Sequence, residues 1–242
     1  MTADQAAADP SATRHQAPAG RAAADRVAVD RVTVDRAAAE RLAADRAAAI
    51  ESAVLAATER LLAQGSSFAT LSTQRIADEA GVARSTLYLY FKEKNALLVR
   101  LTAGLKDGAY DLMNRWSPDE QDALDRLDDT LLGVIRYYRQ RAHVLRAVLE
   151  LAGQDSGVSH VWDDELGPFQ RLSQGWIERA QASGQTAADI DAATASQVIV
   201  HGGIRVITQQ ALSGSPERDA KVARELAANQ WFGAFRRARR GP

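Results

Sequence analysis

Cysteine is absent from the 242-residue chain, which excludes disulfides and thiolate metal sites. Catalytic signatures are missing too. The sequence holds no HExxH, no GxSxG, no phosphate-binding loop and no dinucleotide fingerprint, and His15, His143, His160 and His201 are scattered. No enzyme, cofactor site or metal site is therefore expected. No run of about 18 or more apolar residues occurs, and the opening MTADQAAADP lacks a basic segment followed by an apolar one. A cytoplasmic protein without membrane contact is the expectation. Excess charge of one sign is lacking as well: 30 Lys and Arg against 31 Asp and Glu leave a net charge of −1. Any attraction to nucleic acid has to come from a local patch rather than from the whole molecule. What the chain does have is 46% hydrophobic residues, enough for a real core at this length.

Residues 1–46 form an Ala/Asp/Arg-rich extension in which Arg21, Arg26, Arg31, Arg36, Arg41 and Arg46 recur every five residues. A helix turns about 100° per residue, so this period carries the charges right round the axis and leaves no apolar stripe to bury. The segment makes no core of its own and reads either as a frayed, solvated helix or as disorder. Pairs such as Arg36 with Glu40 favour the helix. Its acids neutralise its arginines, so it makes a poor DNA-tracking arm.

From about residue 47 the pattern changes. Ile50, Ala53, Val54, Ala57 and Leu61 lie on one helical face, and Gly65 can close that helix in the left-handed conformation. Periodicity predicts further helices over 93–115, 120–139, 141–152, 158–183, 189–213 and 216–238, and no alternating run suggests a strand. The expected fold class is all-α: a helix-turn-helix domain over 47–95, a helical domain over 96–238 and a tail over 239–242.

Between them, residues 72–91 read STQRIADEAGVARSTLYLYF. Ser72 can cap a short helix with Ile76 and Ala77 facing inward, and Gly81 supplies the turn at positive φ. A second helix follows, anchored by Val82 and Leu87. It directs Arg84, Ser85, Thr86, Tyr88 and Tyr90 outward, as donors suited to phosphates and base edges. Arg75, Lys92 and Lys94 add the local basic patch.

This stretch, as IADEAGVARSTLYLYFKEKNALL, resembles the DNA-binding domain of TetR-family transcription regulators over about residues 50–100. The resemblance implies a homodimeric repressor that binds double-stranded operator DNA and leaves it when a small hydrophobic effector enters the C-terminal domain. Carried over by position, it implies phosphate contacts from Thr73, Thr86, Tyr88, Tyr90 and Lys94, with base readout by Arg84 and Ser85. Two positions depart from the family pattern: Ala83 stands where a capping Ser or Thr is frequent, and Glu93 where Ser, Asn or Gly is frequent.

The aromatic residues of the C-terminal half read mainly as core. The resemblance implies that some line an effector cavity, and Trp116, Tyr138, Trp162, Phe169 and Trp176 are the candidates. Pro168 is expected to kink the helix over 158–183. The segment QVIVHGGIRVITQQA, residues 197–211, is apolar nearly all round and is expected to be buried on several sides. Gly203, with Ile207 one turn on, marks a close approach of another helix or a ligand. Ala223, Leu226, Trp231, Ala234 and Phe235 are the expected dimer face, completing a four-helix bundle with a second copy. The spacing of Arg205 and Trp231 is similar to the ethionamide-resistance repressor branch of the family. The closing FRRARRGP reads as a solvated helix end whose cations offset the helix dipole. The competing reading is a helical, dimeric binding or scaffold protein that does not touch DNA.

Overall fold

A computed structural model describes residues 19–153, 162, 164 and 166–238, with backbone alone over 19–35 and at 37. It divides into two units, Met1–Ile50 and Glu51–Pro242. Among the described residues there is no strand.

In the first unit the five-residue repeat is helical from Ala19 onward, as part of α1 (Ala19–Ala63). Arg36 pairs with Glu40 at 2.9 Å, and the side chains from Ala38 to Arg46 are exposed. Residues 1–18 lie outside the described residues.

In the second unit α1 acquires its buried face. Val54, Ala57, Leu61 and Leu62 are inside, and the helix ends at Ala63 with Gly65 at φ +89°. Then come α2 (Thr73–Ala80), α3 (Arg84–Tyr90), α4 (Lys94–Met113), α5 (Ala123–Gln140) and α6 (Ala142–Ala152). The chain closes with α7 (Gly167–Ala182), α8 (Ala192–Ser213), a 3-10 turn (Pro216–Arg218) and α9 (Asp219–Gln230). A π-turn follows over Trp231–Phe235, marked by the bond from Arg236 N–H to the Trp231 carbonyl at 2.7 Å.

Helix α4 packs on α5 and α6, while α5 carries α8 and α9 on its other side and α7 packs along α8. The core is set by heptad-like spacing. On α5, Leu127, Leu131, Val134, Ile135 and Tyr138 are all buried.

Three expectations are corrected here. Pro168 does not kink a helix; it sits in the first turn of α7, where its missing N–H has no partner to lose. The expected start of that helix at 158 falls largely outside the described residues. Residues 216–238 are not one regular helix, since the 3-10 turn and the π-turn flank α9. Finally, within the single chain α8 is buried on one broad face only. It turns Gly203, Ile207, Gln210 and Ala211 inward and leaves Val198, Arg205 and Val206 exposed.

Candidate nucleic-acid interface and apolar cavity

The turn between α2 and α3 forms for local reasons. The Ser72 hydroxyl accepts from the Arg75 N–H at 3.2 Å and caps α2. Gly81, at φ +69°, takes the left-handed conformation, so that Val82 N–H reaches the Ala77 carbonyl at 3.0 Å. Helix α3 begins at Arg84, and Ala83 before it provides no side-chain cap. Its stability comes instead from Leu87, which is fully buried with Ile76 and Ala77 beneath it in the motif.

Two cross-braces hold this motif in place. Arg60 on α1 pairs with the Glu79 carboxylate at 2.8 Å and donates to the Glu79 carbonyl at 3.2 Å, at the end of α2. Arg100 on α4 pairs with Glu51 on α1.

The outer face of α3 carries Arg84, Ser85, Tyr88, Leu89 and Tyr90, all exposed, with Thr86 half-buried. Tyr88 is the hub. Its hydroxyl lies 3.2 Å from the Thr73 hydroxyl and accepts from Arg84 at 3.3 Å. The hydrogen bond with Thr73, then that from Arg84, holds the phenol below its ordinary pKa. Thr73, Arg84 and Tyr88 thus form one hydroxyl–guanidinium cluster across the two helices, while Arg75 is exposed on α2.

Lys94 departs from its expected place in this set. Its ammonium donates to the carbonyls of Phe68, Ala69 and Leu71 at 2.8, 3.0 and 3.2 Å and lies 4.9 Å from the Phe68 ring centre. All three of its donors are committed to the loop before α2, and burial lowers its pKa. It clamps that loop rather than facing outward. Sequence reasoning also passed over Leu89, which is 79% exposed. In a helix whose Leu87 is fully buried, the residue two positions on lies about 200° round the axis, and that angle was the available signal.

The second feature is an apolar cavity, open to solvent at its mouth, among α4, α5, α7, α8 and the end of α9. Tyr138, Phe169, Trp176, Gly203 and Ile207, all expected near a ligand, line it. Trp116 and Trp162 do not. Trp116 stacks edge-on against Trp176 at 4.6 Å and against Phe235, and its indole N–H donates to the Ala123 carbonyl at 2.7 Å, so it is core. Trp162 lies over the Lys106 ammonium at 4.0 Å, and its carbonyl accepts from the same group.

The expected dimer face also needs correction. Ala223, Ala234 and Phe235 are buried within the chain, where α9 packs on α5 and Phe235 joins the tryptophans. Leu226 and Trp231 are half-buried, Trp231 stacking on Arg236. The large apolar side chains that are exposed on α8 and the π-turn are Val198, Val206 and Phe232.

With this geometry in hand, residues 54–101 match the model of a known family, bacterial regulatory proteins of the tetR family. The N-terminal domain carries the TetR signature. The helical arrangement of about three quarters of the chain is shared with solved structures of transcription regulators. The fatty acid degradation regulator FadR from Bacillus halodurans superposes with a TM-score of 0.63 at 17% identity, covering 76% of this chain and 95% of that one. FadR from Bacillus subtilis, solved in complex with stearoyl-CoA, gives 0.61 at 18%, covering 74% and 96%. A TetR transcription regulator from Haloarcula marismortui gives 0.59 at 21%, covering 76% and 97%. A comparison with curated protein sequences found no match. The chain thus has the TetR regulator fold, with an N-terminal helix-turn-helix and a C-terminal helical domain. Among the described residues no helix is long and apolar enough to cross a membrane.

Proposed function

We propose that the protein is a dimeric, TetR-family transcriptional repressor that binds operator DNA through α3 and is released by a small hydrophobic effector in the cavity. The observation that carries this reading is the outer face of α3. Two tyrosines, an arginine, a serine and a leucine stand in solvent on a short helix whose inner side is locked by Leu87. A helix serving only to pack has no use for such a face. Arg84 and Ser85 are assigned to base edges, Thr73, Thr86, Tyr88, Tyr90 and Arg75 to phosphates, and Leu89 to the methyl group of a thymine.

Two readers are needed for a symmetric operator, with centres about 34–36 Å apart. Val198, Val206 and Phe232, flanked by Leu226 and Trp231, supply the face for the second copy. The working division is a DNA-binding domain over 47–95 and an effector and dimerisation domain over 96–238. The ethionamide-resistance repressor branch rests on the spacing of Arg205 and Trp231 alone.

The test is a mobility-shift assay on genomic fragments at graded salt. A regulator gives retardation of particular fragments that weakens steeply as salt rises. A helical scaffold that leaves DNA alone gives none, and that result sinks the proposal.

A further inference from the structure

The cavity has an apolar lining interrupted at few points. Ser173, on α7, is only 3% exposed, and its hydroxyl has no hydrogen-bond partner among the described residues. A serine inside a helix usually bonds back to the carbonyl one turn before it; this one does not, and it lines the cavity. Gln230, at the end of α9, contributes a buried amide to the same lining and lies 3.6 Å from where a β-carbon at Gly203 would be. No Lys, Arg, His, Asp or Glu occurs among the described residues that line the space. Among the described lining residues the titratable group is the Tyr138 phenol, and burial raises its pKa, so it stays neutral.

An orphaned buried hydroxyl is a costly arrangement unless something else completes it. A carboxylate entering here would lose its hydration and meet no cation among the described lining residues. An alkane would fit the walls and leave Ser173 as it is.

We propose that the cavity selects a neutral amphiphile: an apolar body bearing one uncharged oxygen function, a hydroxyl or carbonyl, that hydrogen-bonds to Ser173 Oγ. This rests on the reading of the cavity as an effector site. It adds the chemical class of the effector and the residue that chooses it.

The experiment is calorimetric titration and thermal shift of the full chain with a matched set: 1-decanol, 2-decanone, decane and decanoate at neutral pH. In the parent, decanoate is expected to bind most weakly. Ser173→Ala is expected to weaken the alcohol and the ketone about tenfold, the worth of one neutral hydrogen bond, while decane binding is retained, which also shows that the variant is folded. Decanoate binding as tightly as decanol, or an unchanged preference in Ser173→Ala, overturns the proposal and leaves the effector site standing. If none of the four binds, the effector reading fails and takes this one with it.

Discussion

Arg139 on α5 forms a two-pronged ion pair with Asp219 at the start of α9, Nε to Oδ2 at 3.0 Å and Nη2 to Oδ1 at 2.5 Å. The same guanidinium donates to the carbonyls of Gln210 at 2.8 Å, Ala211 at 3.3 Å and Gly214 at 3.0 Å. Gln210 completes the knot by donating to Asp219 at 2.7 Å. One arginine thus satisfies the open carbonyls at the end of α8 and fixes the turn into α9. These are the two helices that present the proposed dimer face.

Removing one partner of such a pair leaves the other buried and uncompensated. Arg139→Ala is expected to cost about 3–4 kcal/mol, read by urea unfolding. Burial pushes the Asp219 pKa up, but the hydrogen bonds from Arg139 and Gln210 outweigh it and hold the carboxyl below its ordinary value. A depressed carboxyl contributes stability that is complete above its unfolded pKa of about 3.9 and is lost as pH falls through its folded pKa. Asp219→Asn should therefore be much less stable than the parent at pH 7, with the gap narrowing below about pH 4. A gap independent of pH would show that the ion pair contributes through packing alone.

Lys94 and Tyr88, both expected to meet phosphate, should separate experimentally. Lys94→Ala removes three bonds to the 68–71 loop and is expected to lower stability by about 1–3 kcal/mol, visible in thermal unfolding without DNA. Tyr88→Phe removes only an exposed hydroxyl. It should leave the melting temperature within about 2 °C, since surface changes stay small, and weaken every operator variant alike by about 1 kcal/mol. Equal destabilisation by the two substitutions would contradict the clamp assigned to Lys94.

On α3, Arg84 and Leu89 should carry sequence preference of different kinds. Arg84→Ala is expected to lose about 1–3 kcal/mol at a single base pair if its guanidinium reads guanine. For Leu89 the probe is the DNA: replacing the contacted thymine by uracil deletes one methyl, worth about 0.8 kcal/mol or nearly fourfold in affinity. Leu89→Ala should abolish that sensitivity. Uracil substitution without effect at every operator thymine would remove Leu89 from the readers.

The local chemistry of the α2–α3 turn was legible in the sequence because each part of it depends on near neighbours. Ser72 caps within three residues and Gly81 closes within four. The dimer face was less legible, because spacing identifies an apolar face without saying what covers it. Ala223, Ala227, Gln230 and Ala234 keep the regular helical spacing and are buried, but the partner that covers this side of α9 is α5 of the same chain, and Phe232 is left on the outside. Trp116 and Trp162 could not be sorted from Trp176 by pattern. What separates them is tertiary: whether a ring meets another ring, an ammonium or the open cavity.

The exposed apolar groups give the oligomerisation test. Phe232 is 62% exposed, and Phe232→Asp should place an unpaired charge in the interface and give monomers in sedimentation at micromolar concentration. Trp231→Asp is a poorer test, since its ring is already stacked on Arg236 within the chain. A parent protein that sediments as a monomer contradicts the dimer altogether.

The proposed switch depends on α4. Its 20 residues span about 30 Å at 1.5 Å each. Near one end Ala109 and Met113 line the cavity; at the other, Lys94 grips the loop that leads into Ser72 and α2. A ligand that spreads the cavity walls therefore pushes on a lever whose far end is fastened to the reader. Such a ligand shifts the population only by its preference for the spread state, and moving the dimer from 99:1 competent to 1:99 takes about 5.5 kcal/mol. That preference is reached where the spread state alone accommodates the ligand, so that burial of a few hundred Å² of apolar surface, at about 25 cal/mol per Å², is gained in that state only. A neutral ligand of the cavity is thus expected to raise the melting temperature while lowering operator affinity. Gly203 lines the cavity, and a β-carbon there would meet Gln230 at ordinary contact distance, so Gly203→Trp should put its ring into the cavity and either imitate the ligand or block it. In Lys94→Ala, with the clamp gone, the same ligand should still stabilise the protein but change operator affinity much less. If the ligand lowers operator affinity equally in the parent and in Lys94→Ala, the signal does not pass through that clamp and the lever is wrong.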